Sequence, residues 1–225
     1  MNLVRTAVAL ICALCSMNAC SQALTDAPLP GATEPVISGP YTAPTAELRF
    51  KNLMLDSLGP YPILISAAVA GDHQFTNDPP EWRQGARGYA RRFGSGMGIN
   101  IIDGTTRYGL SELLKQDTLY YRCACTGVFP RTWHAVLMTA MARKESDGKS
   151  VISIPSLISP YIATTTAVYG WYPARFGPKD AFRLGNYDLL EDIGANIVFE
   201  FFPSRPSSFL SRHHFNSRHA AINPE

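Results

Sequence analysis

Apolar residues recur at spacings of three and four along most of this chain, which is the periodicity of an amphipathic α-helix. The pattern is clear in 47–58 and 178–202. Pro130 begins a further helical stretch at 131–144, which Ser146-Asp147-Gly148 ends, and prolines bound another at 156–172. The short apolar run 63–70 is expected to be a buried segment. Strand patterns are scarce, so the chain is predicted to be mostly α, a compact helical bundle of about five or six helices.

Glycine recurs through 85–104, and its spacing favours a packing helix over a phosphate-binding loop. A dinucleotide loop needs G-x-G-x-x-G after a strand, but Ile99 stands where the third glycine would be. Small residues instead recur every four positions, which lets another helix approach closely. We expect this Gly/Ala ridge to pack against 156–172. The ridge contains Ala86, Ala90, Gly94 and Gly98, and a second, neighbouring row contains Gly88, Gly96 and Gly104.

The two ends of the chain differ in composition from its middle. Arg5 precedes an uncharged apolar run of 12 residues at 6–17, an order that is typical of a secretory signal and too short to span a bilayer. Export is therefore expected, to the periplasm or the outer membrane of a bacterium. The predicted divisions are a signal peptide at 1–23, a proline-rich linker at 24–46, a helical domain at 47–202 and a disordered tail at 203–225.

The five cysteines divide between the signal segment and the helical domain. Ordinary cleavage before Leu24 would remove three of them. Cleavage before Cys20 would instead leave that cysteine as a lipidated N-terminus, and the lipid would anchor the protein to a membrane. Within the domain, Cys123 and Cys125 form either a disulfide or two small, partly buried thiols.

Charge excludes one class of partner. With 20 basic and 18 acidic residues the chain has no large basic field, so no nucleic-acid partner is predicted. Within the glycine-rich helix only 93–102 is free of charge, half of a membrane span. The 25 residues of 150–174 are also uncharged, but three prolines interrupt them, so a buried core helix is favoured over a span. A solvated basic face is expected for Arg83, Arg87, Arg91 and Arg92.

Asp72, His73 and His134 are the candidate catalytic residues. A carboxylate and two imidazoles would serve general-base catalysis or metal binding if the fold brought them together. The simpler interpretation is that Asp72 and His73 cap a helix end and that His134 packs beside Trp133. The sequence contains no metal-ligand spacing and no G-x-S-x-G motif, so neither a metal nor a cofactor is predicted. Ion pairs that fix helix register are expected among Asp103, Arg107, Asp117, Arg122 and Arg131.

Three motifs occur in order between Trp82 and residue 202. They are G-x-x-G-Y-x-x-R-F-G…D-G-x-x-R-Y in 85–108, D-x-x-Y-Y-R…R-x-x-H in 117–134 and Y-G-W-Y-P in 169–173. Together they resemble a group of exported, glycine-rich helical envelope proteins of bacteria that have no assigned activity. Thr118 departs from that group, which has proline there. The resemblance implies a small helical envelope protein and supplies no reaction.

Three functional hypotheses follow from these observations. The favoured one is an exported cell-envelope protein that binds or scaffolds without catalysis. The second is a small exported hydrolase or transferase that uses Asp72, His73 and His134. The third is an integral membrane bundle whose helices pack through their rows of glycine.

Overall fold

The computed structural model describes residues 41–123 and 125–201, which form a helical bundle with a small antiparallel sheet. The mostly α fold predicted from the sequence is confirmed. The helices of the described part are α1 (Ala46–Leu58), α2 (Pro60–Thr76), α3 (Gly85–Leu114), α4 (Val128–Thr139), α5 (Ile154–Gly170) and α6 (Pro178–Phe201). The strands are β1 (Gln116–Asp117), β2 (Met141–Lys144) and β3 (Ser150–Ile152), and a 3₁₀ turn covers Pro80–Trp82.

The other helices are arranged around α3, which is 30 residues long. Helices α1, α2 and α5 pack along it, and α6 packs against α5 and α4. Arg49 near the start of α1 pairs with Glu112 near the end of α3, so the two helices are antiparallel. We call the end of the bundle that holds the start of α3 the arginine end. The opposite end, where α3 leads into the sheet, is the sheet end.

The sheet is a feature that the helical periodicity of 131–144 did not predict. Helix α4 ends at Thr139, and the chain continues as β2, which pairs antiparallel with both β1 and β3. Gly148 closes the β2–β3 connection with a φ of 68°, a left-handed conformation that glycine adopts without strain. The turn lets β3 run back beside β2. Residues 141–144 therefore form the backbone hydrogen bonds of a hairpin and not those of the expected last helical turn.

The expected break at Pro60 is a single-residue interruption between two helices. Gly59 is extended, and Pro60 begins α2 at once because proline is compatible with the first turn of a helix. The run 63–70 is therefore the middle of α2. It was expected to be buried, but Ile63 and Leu64 are 42% and 57% exposed.

The two rows of small residues on α3 have different surroundings from those predicted. Ala86, Ala90 and Gly94 are exposed, and a Cβ added at Gly94 would have no atom within 4 Å. The expectation that this ridge packs on α5 is therefore wrong for these three residues. Only Gly98 makes a contact of that kind, 3.4 Å from the ring of Trp171, which follows α5.

The second row, Gly88, Gly96 and Gly104, provides the close approaches. A Cβ at Gly96 would lie 3.3 Å from the Ser66 side chain of α2, and one at Gly104 would lie 2.3 Å from the Ser57 hydroxyl of α1. At Gly88 the nearest atom would be a backbone carbonyl oxygen 2.1 Å away. Gly96 and Gly104 thus allow α3 to lie close to the α1–α2 pair, and Gly88 allows the turn before α3 to pack against the helix.

Apart from a small core around Tyr120 and Phe199, the described helices expose many large apolar side chains and bury many polar ones, an unusual combination for a soluble domain. Most large apolar side chains of the described helices are at least partly exposed, whereas the buried set is dominated by small and polar residues. The exposed members on the helices, which we call the apolar belt, include Phe50, Met54, Ile63, Leu64, Ile101, Trp133, Leu137, Ile158, Ile162 and Leu190. The buried polar residues include Asn52, Ser57, Ser66, Arg92, Ser95, Ser111, Asp117, Ser159, Thr164, Asn196 and Glu200.

Candidate functional site, a polar cavity inside the bundle

An arginine between two carboxylates joins α3 to α6. Asp103 and Arg107 are four residues apart, which places them on one face of α3, and Arg107 Nη2 donates to Asp103 Oδ2 at 2.8 Å. The same nitrogen pairs with Asp192 of α6, and Arg107 Nε donates to Ser159 of α5 at 3.4 Å. These side chains are only about 15% exposed. The ion pair links α3 to α6, and the hydrogen bond to Ser159 links α3 to α5. The predicted half-buried ion pair of Asp103 with Arg107 is present, and its role in fixing helix register stays a prediction.

A cavity of about 100 Å³ opens beside this cluster. Its walls are formed by α1, the start of α2, α3, the segment around β1, and α6. Asn52 on α1 lines the cavity, is 2% exposed, and has no hydrogen-bond partner for either atom of its amide. Asp188 and Glu191 line it from α6, and Asp188 Oδ2 also lacks a partner. We call this space the polar cavity.

The spacing of residues 188, 191 and 192 on α6 explains why their carboxylates line one space. Positions three and four apart lie on one helix face, and this face is turned towards the end of α3. Neither these residues nor Asn52 were predicted from the sequence as a site. Their i, i+3, i+4 spacing was a usable signal, because it places three carboxylates on one helix face, and buried carboxylates need a polar environment.

Two further buried carboxylates belong to the sheet end. Asp117 accepts hydrogen bonds from the hydroxyls of Tyr41 and Tyr121 and from the backbone of Leu119. Burial, and then the Asp117 charge, raise the pKa of Tyr121 well above its ordinary value, so its hydroxyl remains a donor. The predicted ion pair of Asp117 is therefore replaced by tyrosine hydrogen bonds.

Glu200, at the end of α6, is fully buried and is held by Arg131 and Tyr120. Arg131 Nε donates to Glu200 Oε1 at 2.9 Å, and the Tyr120 hydroxyl donates to Oε2 at 2.6 Å. The expected pairing role of Arg131 is confirmed. Arg122 donates to the carbonyl oxygen of Phe199 at 2.9 Å. These contacts attach the segment after β1 to α6.

The arginine end has a buried arginine of its own. Arg92 was expected on a solvated face, but the residue is only 3% exposed. Its guanidinium donates to the carbonyl oxygens of Asp78, Pro79 and Arg83. It thus satisfies the backbone of the turn that leads into α3. Arg83, Arg87 and Arg91 are exposed, as expected.

The candidate catalytic residues lie on different parts of the bundle. Asp72 and His73 are in the last turns of α2, at the arginine end, and the His73 carbonyl accepts from the backbone of Asp78. His134 lies on α4 at the sheet end, where its Nε2 is 2.9 Å from the Tyr121 carbonyl oxygen. The structure does not bring Asp72, His73 and His134 together. A shared general-base site built from them therefore has no support in this geometry.

Cys123 and Cys125 are joined in a disulfide, one of the two states considered for them. Cys20, the candidate lipidation site, lies outside the described residues, as do 1–40 and 202–225 with the predicted signal peptide, most of the linker and the tail. Within the described residues, no group of three or more His, Cys, Asp and Glu side chains is arranged to hold a metal ion.

Comparisons with protein-family models, with curated proteins and with solved structures found no match to this chain. The resemblance to exported envelope proteins therefore stays a prediction, and any functional conclusion depends on the geometry of the bundle itself.

Proposed function

We propose that this chain is an integral membrane protein of the cell envelope, a helical bundle that acts by binding or scaffolding and not by catalysis. The observation that supports it is the combination of the apolar belt with a polar and charged interior. A soluble domain gains stability by burying large apolar side chains, whereas a bundle in lipid exposes them and turns its polar groups inward.

Several of the described helices, though not the 12-residue α4, are long enough to cross all or most of a bilayer. On length and composition, one described segment, Ala46–Thr76, is long and apolar enough to cross a membrane, and only 28% of its apolar window is buried. Helix α5 lies within the uncharged run 150–174 and is roughly 25 Å long. The charged residues in the middle of α3 and α6, Arg107 and Asp192, pair with each other. Their charge is therefore not presented to lipid.

The distribution of the apolar belt favours lipid over a single protein partner. Each of the six described helices contributes at least one exposed large apolar side chain, including Phe50 on α1, Trp133 on α4 and Leu190 on α6. One docked protein covers one face of a domain, whereas lipid surrounds it. Ile154, Ile158 and Ile162 repeat every four residues along the exposed side of α5 and form one continuous apolar stripe.

Charged and aromatic groups lie at the ends of the bundle, which is where headgroups would be. At the arginine end, Arg87 and Arg91 are exposed beside Tyr89. The exposed Tyr169 and Trp171 lie near the end of α5, and the Trp171 indole donates to Ser95, one turn further along α3 than Arg91. Tyrosine and tryptophan are enriched at membrane–water interfaces because their rings are apolar and their polar tips remain hydrated. The sheet end carries Lys144 and Lys149.

Fractionation of a chain that lacks residues 1–23 tests this proposal, because the apolar N-terminal run is then absent. We expect the protein to float with membranes in a sucrose gradient, to resist a carbonate wash and to require detergent for extraction. Flotation separates membrane insertion from aggregation, since aggregates sediment. A folded, helical and monodisperse protein in the detergent-free supernatant would rule the membrane location out.

A further inference from the structure

The polar cavity contains more carboxylates than guanidinium groups. Asp103 and Asp192 share the charge of Arg107, and Asp188 and Glu191 add two more carboxylates from α6. The second arginine on the cavity wall, Arg49, is engaged by Glu112 and Glu145. Burying several like charges is unfavourable unless a counter-charge or protons neutralise them. The cavity thus has the electrostatics of a site for a cation.

Asn52 is an independent indication that the cavity accepts a ligand. A buried amide without partners costs roughly 1–3 kcal/mol, and buried polar groups in native proteins are almost always hydrogen-bonded. Asn52 presents one acceptor and one donor group at the cavity wall, and neither is satisfied by the protein. A ligand in the cavity would satisfy its carbonyl oxygen together with Asp188 Oδ2.

We propose that the polar cavity binds a small organic ammonium ion, with Asn52 and Asp188 as hydrogen-bond acceptors. This inference rests on the binding role proposed above but not on the membrane location. A primary ammonium carries one positive charge and three N–H donors on a small head, which matches acceptors that approach from α1 and α6. Its short alkyl part would lie against Leu53 and Tyr61, which also line the cavity.

The arrangement of the acceptors favours an ammonium ion over a metal ion. A divalent cation needs several oxygens that converge at about 2.0–2.6 Å, and no such group of His, Cys, Asp and Glu is present among the described residues. An ammonium ion instead forms hydrogen bonds of about 2.7–3.2 Å with separately placed acceptors. A cavity of about 100 Å³ limits the ligand to a few non-hydrogen atoms.

Isothermal titration of the purified protein in mild detergent with ethylammonium tests this inference. We expect saturable binding with a single site, while ethanol, a neutral molecule of similar size, and tetramethylammonium, which has no N–H donor, do not bind. Asn52→Leu and Asp188→Asn should each weaken ethylammonium binding by at least about tenfold, because each costs the ligand one hydrogen bond of its charged group. Glu47→Gln, on the exposed side of α1, is the matched control and should bind as the parent does.

Thermal unfolding of the variants separates a lost site from a lost fold. Asn52→Leu removes an unpaired amide without shortening the side chain, so it should unfold at or above the parent temperature. Absence of ethylammonium binding to the folded parent would overturn the inference and indicate that protons neutralise the carboxylates. Unchanged binding in folded Asn52→Leu would also overturn it. Binding by a chain that stays in the detergent-free supernatant would overturn the membrane location alone.

Discussion

At the scale of single residues, the glycines of α3 divide into those that a methyl group would disturb and those that it would not. A Cβ at Gly88 would meet the Arg83 carbonyl oxygen at 2.1 Å, a backbone atom that cannot rotate away. A Cβ at Gly94 would meet nothing within 4 Å. Two residues of the same type on the same helix therefore provide a matched pair of substitutions.

We expect Gly88→Ala to lower the free energy of unfolding by about 1–3 kcal/mol because the backbone must move to admit the methyl group. Gly94→Ala should be neutral or stabilise by up to about 1 kcal/mol, since alanine is the better helix former. Thermal unfolding of both variants beside the parent measures the difference. If Gly88→Ala is the more stable of the two, the packing described for the start of α3 is incorrect.

Tyr121 provides a test by pH. Its pKa is raised above the ordinary value of about 10 by burial and by Asp117, so the folded state holds its proton more tightly than the unfolded state does. The resulting stabilisation is present below roughly pH 10 and is lost as the pH rises towards the folded-state pKa. Denaturant unfolding at a series of alkaline pH values should show this decline.

In Tyr121→Phe the alkaline decline should be shallower, and the free energy of unfolding at neutral pH should fall by about 1.5–3 kcal/mol, the contribution of a hydrogen bond to a charged group. Tyr169→Phe, at an exposed side chain, is the control and should leave the neutral value unchanged. An equally steep decline in Tyr121→Phe would contradict the assigned role of this hydroxyl.

The contacts of individual residues could not be predicted from the sequence pattern alone. Periodicity identified both rows of small residues on α3, but it does not say which row faces a neighbour, and the tighter contacts lie on Gly88, Gly96 and Gly104. Asn52 gave no signal, because α1 also carries four charged residues, and one more polar residue among them does not indicate a cavity.

At the scale of elements, the Arg107 cluster is predicted to fix how α3, α5 and α6 are aligned. We expect Arg107→Met to lower the free energy of unfolding by about 3–5 kcal/mol, since it leaves Asp103 and Asp192 as uncompensated half-buried charges. Arg183→Met, which breaks an exposed pair with Asp180, should cost no more than about 1 kcal/mol. Chemical unfolding of the two variants under one condition provides the comparison.

Adding Asp103→Asn and Asp192→Asn to Arg107→Met distinguishes electrostatics from packing. If the loss comes from unpaired charge, removing both carboxylates should recover a large part of it. No recovery in the triple variant would mean that the guanidinium acts by filling space and not by pairing.

Helices whose ends are marked by local sequence signals were predicted well. The expected helices at 156–172 and 178–202 correspond to α5 and α6 within two residues, because prolines and apolar periodicity mark their ends. The β2–β3 hairpin is local, but its residues 141–144 continued the helical pattern of α4. Strand β1 was missed since it pairs with β2 across 25 or more intervening positions, Gln116 with Lys144 and Asp117 with Arg143. Such long-range pairing leaves no trace in the local pattern.

At the scale of the whole molecule, the account depends on which side chains face outward. The sequence favoured a buried core for 150–174 because its prolines and threonines appeared unsuited to a span. In the folded chain Pro155, Pro160 and Thr164 are buried, and Ile158 and Ile162 are exposed. Periodicity shows that a helix has two faces, but only the packing of the other helices shows which face is inside.

Spin labels at the apolar belt show whether its side chains face lipid or water. Without residues 1–23 the remaining cysteines are Cys123 and Cys125, which are joined to each other, so an added cysteine can be labelled alone. In membranes, nitroxides at Ile158→Cys and Ile162→Cys should be relaxed strongly by oxygen and weakly by a water-soluble nickel chelate. Labels at Lys149→Cys at the sheet end and Arg87→Cys at the arginine end, both exposed positions, should show the reverse. If all four positions are equally accessible to the nickel chelate, the apolar belt faces water and the account is contradicted.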